Sequence, residues 1–202
     1  MDSNDKHLEI LSAHYSETFF LLKSAVEKRD RLLLYILGVV FLLLVYMSAP
    51  SAVSDWLNMF INSQTGTDTG TTNLIEASFI GVILLLGLLS FSHTYFQTVL
   101  HIERQYAYVY QLEEQLCTYF DGKAFIREGI HYRKYKRNFS KWTKAIFWYL
   151  VPLLYVIFIA FWLVFLFTES QAPWGYKVVD SLITASMVMS LALYLLALAK
   201  KK

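Results

Sequence analysis

The chain has 202 residues, of which 56% are hydrophobic and 17% charged, with a mean hydropathy of +0.41 and a formal net charge of +2. Ordinary soluble domains carry about 25% charge, so this balance argues for a membrane protein before any segment is read. One cysteine, Cys117, excludes an internal disulfide and any paired-cysteine metal or redox site.

The first 31 residues are mixed and charged, unlike a cleaved secretory signal. Leu8, Leu11, Tyr15, Phe19, Leu22 and Val26 recur every three or four residues, which predicts a cytoplasmic amphipathic helix over 1–31. It runs directly into the first apolar stretch, Leu32 to Ala49. Three more follow: Leu74 to Ser92, Ile146 to Thr168 and Val178 to Ala199. Each approaches or exceeds the roughly 20 residues that cross about 30 Å of hydrocarbon as a helix. Long apolar runs without alternation do not suit barrel strands, and lipid tolerates only internally bonded backbone. The expected fold is all-α and polytopic, with four transmembrane helices and a cytoplasmic helical extension. The expected divisions are the helix 1–31, a membrane hairpin 32–92, a cytoplasmic helical region 93–145, a second hairpin 146–199 and a basic tail 200–202.

All but Lys177 of the 18 lysines and arginines precede the first span, lie between the second and third, or follow the fourth. The positive-inside bias therefore predicts cytoplasmic termini and a cytoplasmic central region, with 50–73 and 169–177 on the far side. Trp142 and Trp148 flank the inner start of span three, and Trp56 and Trp174 belong to the outer loops. Trp162 suits either an interfacial or a packing position. The segment SAVSDWLNMFIN, residues 51–62, puts Val53, Trp56, Leu57, Phe60 and Ile61 near one face of an expected interfacial helix.

Neither proline nor a glycine pair interrupts Leu74 to Tyr119. Beyond Ser92 the sequence turns polar, yet Val99, Ile102, Tyr106, Val109, Leu112, Leu116 and Tyr119 keep helical spacing. A continuous helix of 46 residues would extend roughly 69 Å. The expected break is Asp121-Gly122. The two amphipathic stripes would cover each other or those of another subunit. Residues 125–144 then mix aromatic and basic side chains, as a juxtamembrane segment obeying the charge rule does. No nucleic-acid-binding motif accompanies them, so direct nucleic-acid binding is not expected.

Polar groups inside lipid are costly unless they face protein or water. Span four carries Asp180, Thr184, Ser186, Ser190 and Tyr194, and span two carries Ser78 and Ser90 with an Ala77/Gly81 small-residue pair. Packing between helices accounts for most of them. The sharper reading makes Glu76, Asp180, Thr184, Ser186 and Ser190 candidate conduit residues, with the two carboxylates near the outer entrances. Pro152 is placed to bend span three. His93, Gln97, His101 and Gln105 form an i,i+4 ladder, but histidines eight residues apart are too widely spaced for an HxxxH pair. No metal or cofactor set is expected. Nucleophile-elbow, HExxH, P-loop and dinucleotide-binding patterns are absent, so an enzyme is not expected.

YVYQLEEQL, residues 108–116, and REGIHY, residues 127–132, precede a basic stretch and span three. With these pieces the chain resembles the membrane components paired with cytosolic proteins in bacterial anti-phage systems such as Kiwa or Hailong. The resemblance implies an oligomeric inner-membrane effector or sensor whose cytoplasmic part receives a signal from a cytosolic effector, signalling partner or nucleotide. Tyr108, Leu112, Glu113, Leu116, Arg127, Glu128, Gly129 and Tyr132 are the residues it points to, and Arg133, Lys134, Lys136 and Arg137 extend that candidate partner surface. Two functions then compete. One is an oligomer that conducts ions or permeabilises the bilayer, and the other is a non-conducting sensor or scaffold that recruits a soluble effector.

Overall fold

The computed structural model describes residues 3–65, 76–119, 142, 145–168, 170 and 172–200. The described residues form helices without strands: α1 (Ser3–Ser48), α2 (Pro50–Thr65), α3 (Ala77–Cys117), α4 (Val151–Thr168) and α5 (Trp174–Ala199), with a π-helical turn (Ile146–Leu150) leading into α4. Four are long and apolar enough to cross a membrane: α1, α3, α4 with its leading turn, and α5. The chain is an all-α, multi-pass membrane protein. At 46 and 41 residues, α1 and α3 measure about 69 and 61 Å. Each exceeds the hydrocarbon thickness of about 30 Å roughly twofold.

Local chemistry sets the helix ends. Pro50 offers no N–H to the Tyr46 carbonyl, so α1 stops at Ser48 and α2 begins with proline at its first position. One residue, Ala49, separates them, donating to the Val45 carbonyl at 3.2 Å and accepting from the Val53 N–H at 3.2 Å. Pro152 similarly cannot bond the carbonyl four residues back, and the preceding turn is wide: the Val151 N–H reaches the carbonyl of Ile146. The proline expected to bend span three thus sits just after a π turn. The α3 helix ends at Cys117 in a tight turn through Thr118 and Tyr119. The Asp121-Gly122 break lies outside the described residues.

Buried positions in α1 follow a three-four alternation from Tyr15 through Thr18, Leu22, Ala25, Arg29, Leu32, Ile36, Val39 and Leu43 to Tyr46, each buried or half-buried. The same alternation marks α3 (Gly81, Leu85, Leu88, Ser92, Tyr95, Val99, Ile102), α4 (Pro152, Tyr155, Ile159, Trp162, Leu166) and α5 (Asp180, Thr184, Met187, Leu191, Tyr194). A seven-residue repeat of this kind gives left-handed, knobs-into-holes packing at shallow crossing angles.

The chain divides into two compact units, one of residues 1–31 with 97–153 and the other of 32–96 with 154–202. In the first, α1 and α3 run antiparallel. Leu22, Ile102 and Val109 form its buried core, flanked by Tyr15, Ala25 and Val26. Tyr15 donates a 3.0 Å hydrogen bond to the Glu113 carboxylate, and His14 Nε2 lies 2.8 Å from the Tyr108 hydroxyl. Arg29, on the buried stripe, binds Asp30 at 2.7 Å and places its guanidinium 3.9 Å from the centre of the Phe147 ring. In the second unit α1 and α3 again run antiparallel, with Tyr35 against Phe91 and Tyr46 against Gly81. There α4 and α5 complete a bundle around Leu43, Leu85, Leu88, Leu166 and Met187.

Candidate functional site

In the second unit, polar groups concentrate at two levels of the bundle. The first lies near the α1–α2 junction and includes Asp180. Pro173 precedes α5 in an extended conformation, and its carbonyl accepts the N–H groups of Tyr176 and Lys177 at 3.0 and 3.3 Å. Two turns into that helix, Asp180 falls on the buried stripe and is only 4% exposed. Its Oδ1 has no hydrogen-bond partner. Thr184, equally enclosed, donates to the Asp180 backbone carbonyl at 2.7 Å and so does not satisfy the carboxylate. Tyr46, itself buried, is within electrostatic reach of Asp180.

Tyr46 is wedged among aromatic neighbours, with the Trp162 and Phe165 rings 6.4 and 6.2 Å away between centroids. It occupies the space left by Gly81, where an added Cβ would come within 3.0 Å of Cε1, Cζ and the hydroxyl oxygen. Trp162 is 1% exposed and its Nε1 donor has no acceptor. An unmet indole donor therefore lies on the helix that packs against Tyr46, and an unmet carboxylate acceptor lies on α5 within electrostatic reach of the same ring. A buried carboxylate without a hydrogen-bond donor is costly in a medium of low dielectric constant. Such a site favours the arrival of a cation, a proton or a donor from another chain.

The second level lies toward the other end of the same bundle. Ser92 and Tyr155 share a 2.7 Å hydrogen bond between their hydroxyls. Phe96 stacks on Tyr194 at 4.6 Å and meets Tyr155 edge-on at 5.6 Å. His93 Nδ1 lies 3.2 Å from Ser190 Oγ, tying α3 to α5. This arrangement is aromatic packing with polar ties between helices, and it links three spans side by side.

The candidate conduit residues are thus separated. Asp180 and Thr184 share the buried stripe, whereas Ser190 belongs to the second level. Ser186 is exposed and bonded back to the Leu182 carbonyl at 2.9 Å, so it faces away from Asp180. Glu76 is exposed before the first turn of α3, where its backbone carbonyl accepts from Phe79 and Ile80. Within one chain the five do not line a common path. Of the candidate partner surface, Tyr108 is exposed, but Glu113 is 3% exposed and engaged by Tyr15, which makes it part of the α1–α3 packing. Arg127, Glu128, Tyr132, Arg133, Lys134, Lys136 and Arg137 lie outside the described residues.

Sequence reasoning did not single out Tyr46 or the Ser92–Tyr155 pair. The available signal was positional: each is a polar-tipped side chain on the three-four stripe of a span. Among the described residues, no three His, Cys, Asp or Glu side chains are grouped to hold a metal ion. No protein-family model matches the chain, and comparison with characterised proteins and with solved structures finds no match.

Proposed function

We propose that the chain is a non-enzymatic, oligomeric effector of a bacterial inner membrane. Its assembled spans conduct ions, or otherwise permeabilise the bilayer, when the long helices rearrange. The observation that carries this reading is Asp180: a carboxylate enclosed within the spans, with one oxygen lacking a donor. Ionisable groups at such depth are retained where an ion, a proton or a partner helix meets them. The resemblance to membrane components of anti-phage systems supports a role in bacterial immunity, in which permeabilisation ends infection. Basic residues concentrated in the N-terminal segment, the central region and the tail support cytoplasmic termini.

Flux of a fluorescent-dye-reported monovalent cation from proteoliposomes tests the conduit. Asp180→Asn keeps the side-chain volume and removes the charge, and it should lower cation flux and cation-over-anion selectivity at least severalfold. A folded Asp180→Asn protein with unchanged flux and selectivity removes this carboxylate from the path. A second reading, a non-conducting sensor or scaffold that recruits a cytosolic effector, is favoured by the extension of α1 and α3 well beyond their apolar stretches. No flux from the unaltered protein under any activating condition, with partner capture retained, would select it.

A further inference from the structure

The α2 helix buries its most enclosed polar side chains and turns its largest apolar ones outward. Its two fully buried side chains are polar: Ser54 is 5% and Asn58 6% exposed, with Asn58 Nδ2 3.4 Å from Ser54 Oγ, while Val53, Leu57 and Ile61 are half-buried. Its large outward side chains are apolar: Trp56, Met59 and Phe60 are exposed beside the smaller Ser51, Asp55, Ser63 and Gln64, and the Trp56 and Phe60 rings stack with centroids 6.0 Å apart at 15°. In water this pattern would expose a contiguous apolar surface while burying amide and hydroxyl groups, opposite to the hydrophobic driving force.

We infer that the Trp56–Met59–Phe60 face of α2 is embedded in the bilayer interface, where it binds lipid through apolar and aromatic contact without preference for headgroup charge. Three observations select lipid as the occupant. The helix begins one residue after α1 ends, so its first turn lies at the end of a span. The exposed side chains of α1 just before it, Phe41, Leu42, Leu44 and Val45, are apolar as well, so large apolar side chains point outward on both sides of the junction. Finally, Pro50–Thr65 contains tryptophan, methionine and phenylalanine but neither lysine nor arginine, and its one ionisable residue is Asp55. Interfacial helices that read anionic lipid do so with basic residues on their polar face. This one lacks that means, and depth of insertion rests on the apolar side chains alone. The inference is independent of whether the protein conducts.

Nitroxide accessibility in reconstituted vesicles tests it. In a Cys117→Ser background, a spin label is placed by Met59→Cys and, separately, by Phe60→Cys. Vesicles of phosphatidylcholine alone are compared with vesicles containing phosphatidylglycerol. Collisions with oxygen, which partitions into lipid, should exceed collisions with a water-soluble nickel chelate severalfold at both sites, with the same ratio in the two lipid mixtures. Dominant collision with the nickel chelate at both sites overturns the inference in favour of a water-exposed face. Low accessibility to both reagents with dipolar broadening overturns it in favour of a second copy of the chain. A ratio that rises severalfold with phosphatidylglycerol overturns the charge indifference. If one substitution prevents folding, the other site gives the same readout.

Discussion

Gly81 and Gly87 lie two turns apart on α3 yet meet different surroundings. A Cβ at Gly81 would press on Tyr46, whose ring is held by Trp162 and Phe165, whereas a Cβ at Gly87 would meet nothing within 4 Å. Gly81→Ala should therefore destabilise the protein by about 1–3 kcal/mol through overpacking. Gly87→Ala should be neutral or stabilise by about 0.5–1 kcal/mol, because it removes only the entropic cost of glycine in a helix. Thermal unfolding in detergent compares the two. In a Tyr46→Leu background the ring atoms that the added methyl group would strike are gone, so the penalty of Gly81→Ala should shrink. An equal penalty in both backgrounds would show that Gly81 does not serve as the seat for Tyr46. Gly81 was visible in the sequence as half of a small-residue pair, but its partner was not. A small residue shows that something approaches closely, and only packing shows what.

Each long helix is more than one environment. In the charged part of α1, sequence periodicity does identify the buried face: Leu22 is buried, while Leu8, Leu11, Tyr15, Phe19 and Val26 are half-buried. In α3 the stripe Val99, Ile102, Val109, Leu112 and Leu116 is likewise buried, with Tyr106 an exposed exception, as is Tyr119 in the turn just beyond the helix. Leu22→Ala should cost about 2–5 kcal/mol, the usual range for deleting a core leucine. Phe20, 71% exposed and two positions away, should tolerate alanine within about 0.5 kcal/mol. Amide hydrogen exchange in α1 and α3 separates them: protection in the first unit should fall in Leu22→Ala and persist in Phe20→Ala. Loss of protection in both would mean that Phe20 is itself covered, as by a second copy of the chain. Within the apolar stretches the same reasoning has nothing to work on. Leu34, Leu37 and Leu44 are exposed while Leu32 and Leu43 are buried, and one residue type serves both faces.

At the scale of the molecule, orientation rests on the distribution of basic residues, and labelling tests it directly. In a Cys117→Ser background, an impermeant maleimide applied to intact cells should modify Ser63→Cys and should reach Ser140→Cys only after permeabilisation. The reverse pattern would invert the proposed topology and put the basic region outside. By itself the sequence determined that the chain is helical, that it holds four stretches suited to lipid, and that two helices continue as amphipathic helices beyond theirs. These properties follow from solvent: water and hydrocarbon select different side chains, and the length of an apolar run is fixed by bilayer thickness. Only the tertiary structure decided which face of each apolar helix is enclosed, that Asp180 comes within electrostatic reach of Tyr46 while Ser186 faces away, and that Glu113 packs against Tyr15. The reason is that lipid and protein interior are equally apolar, so hydrophobicity cannot distinguish them. Shape complementarity and the pairing of a few polar atoms make that choice, and both depend on residues distant in the chain.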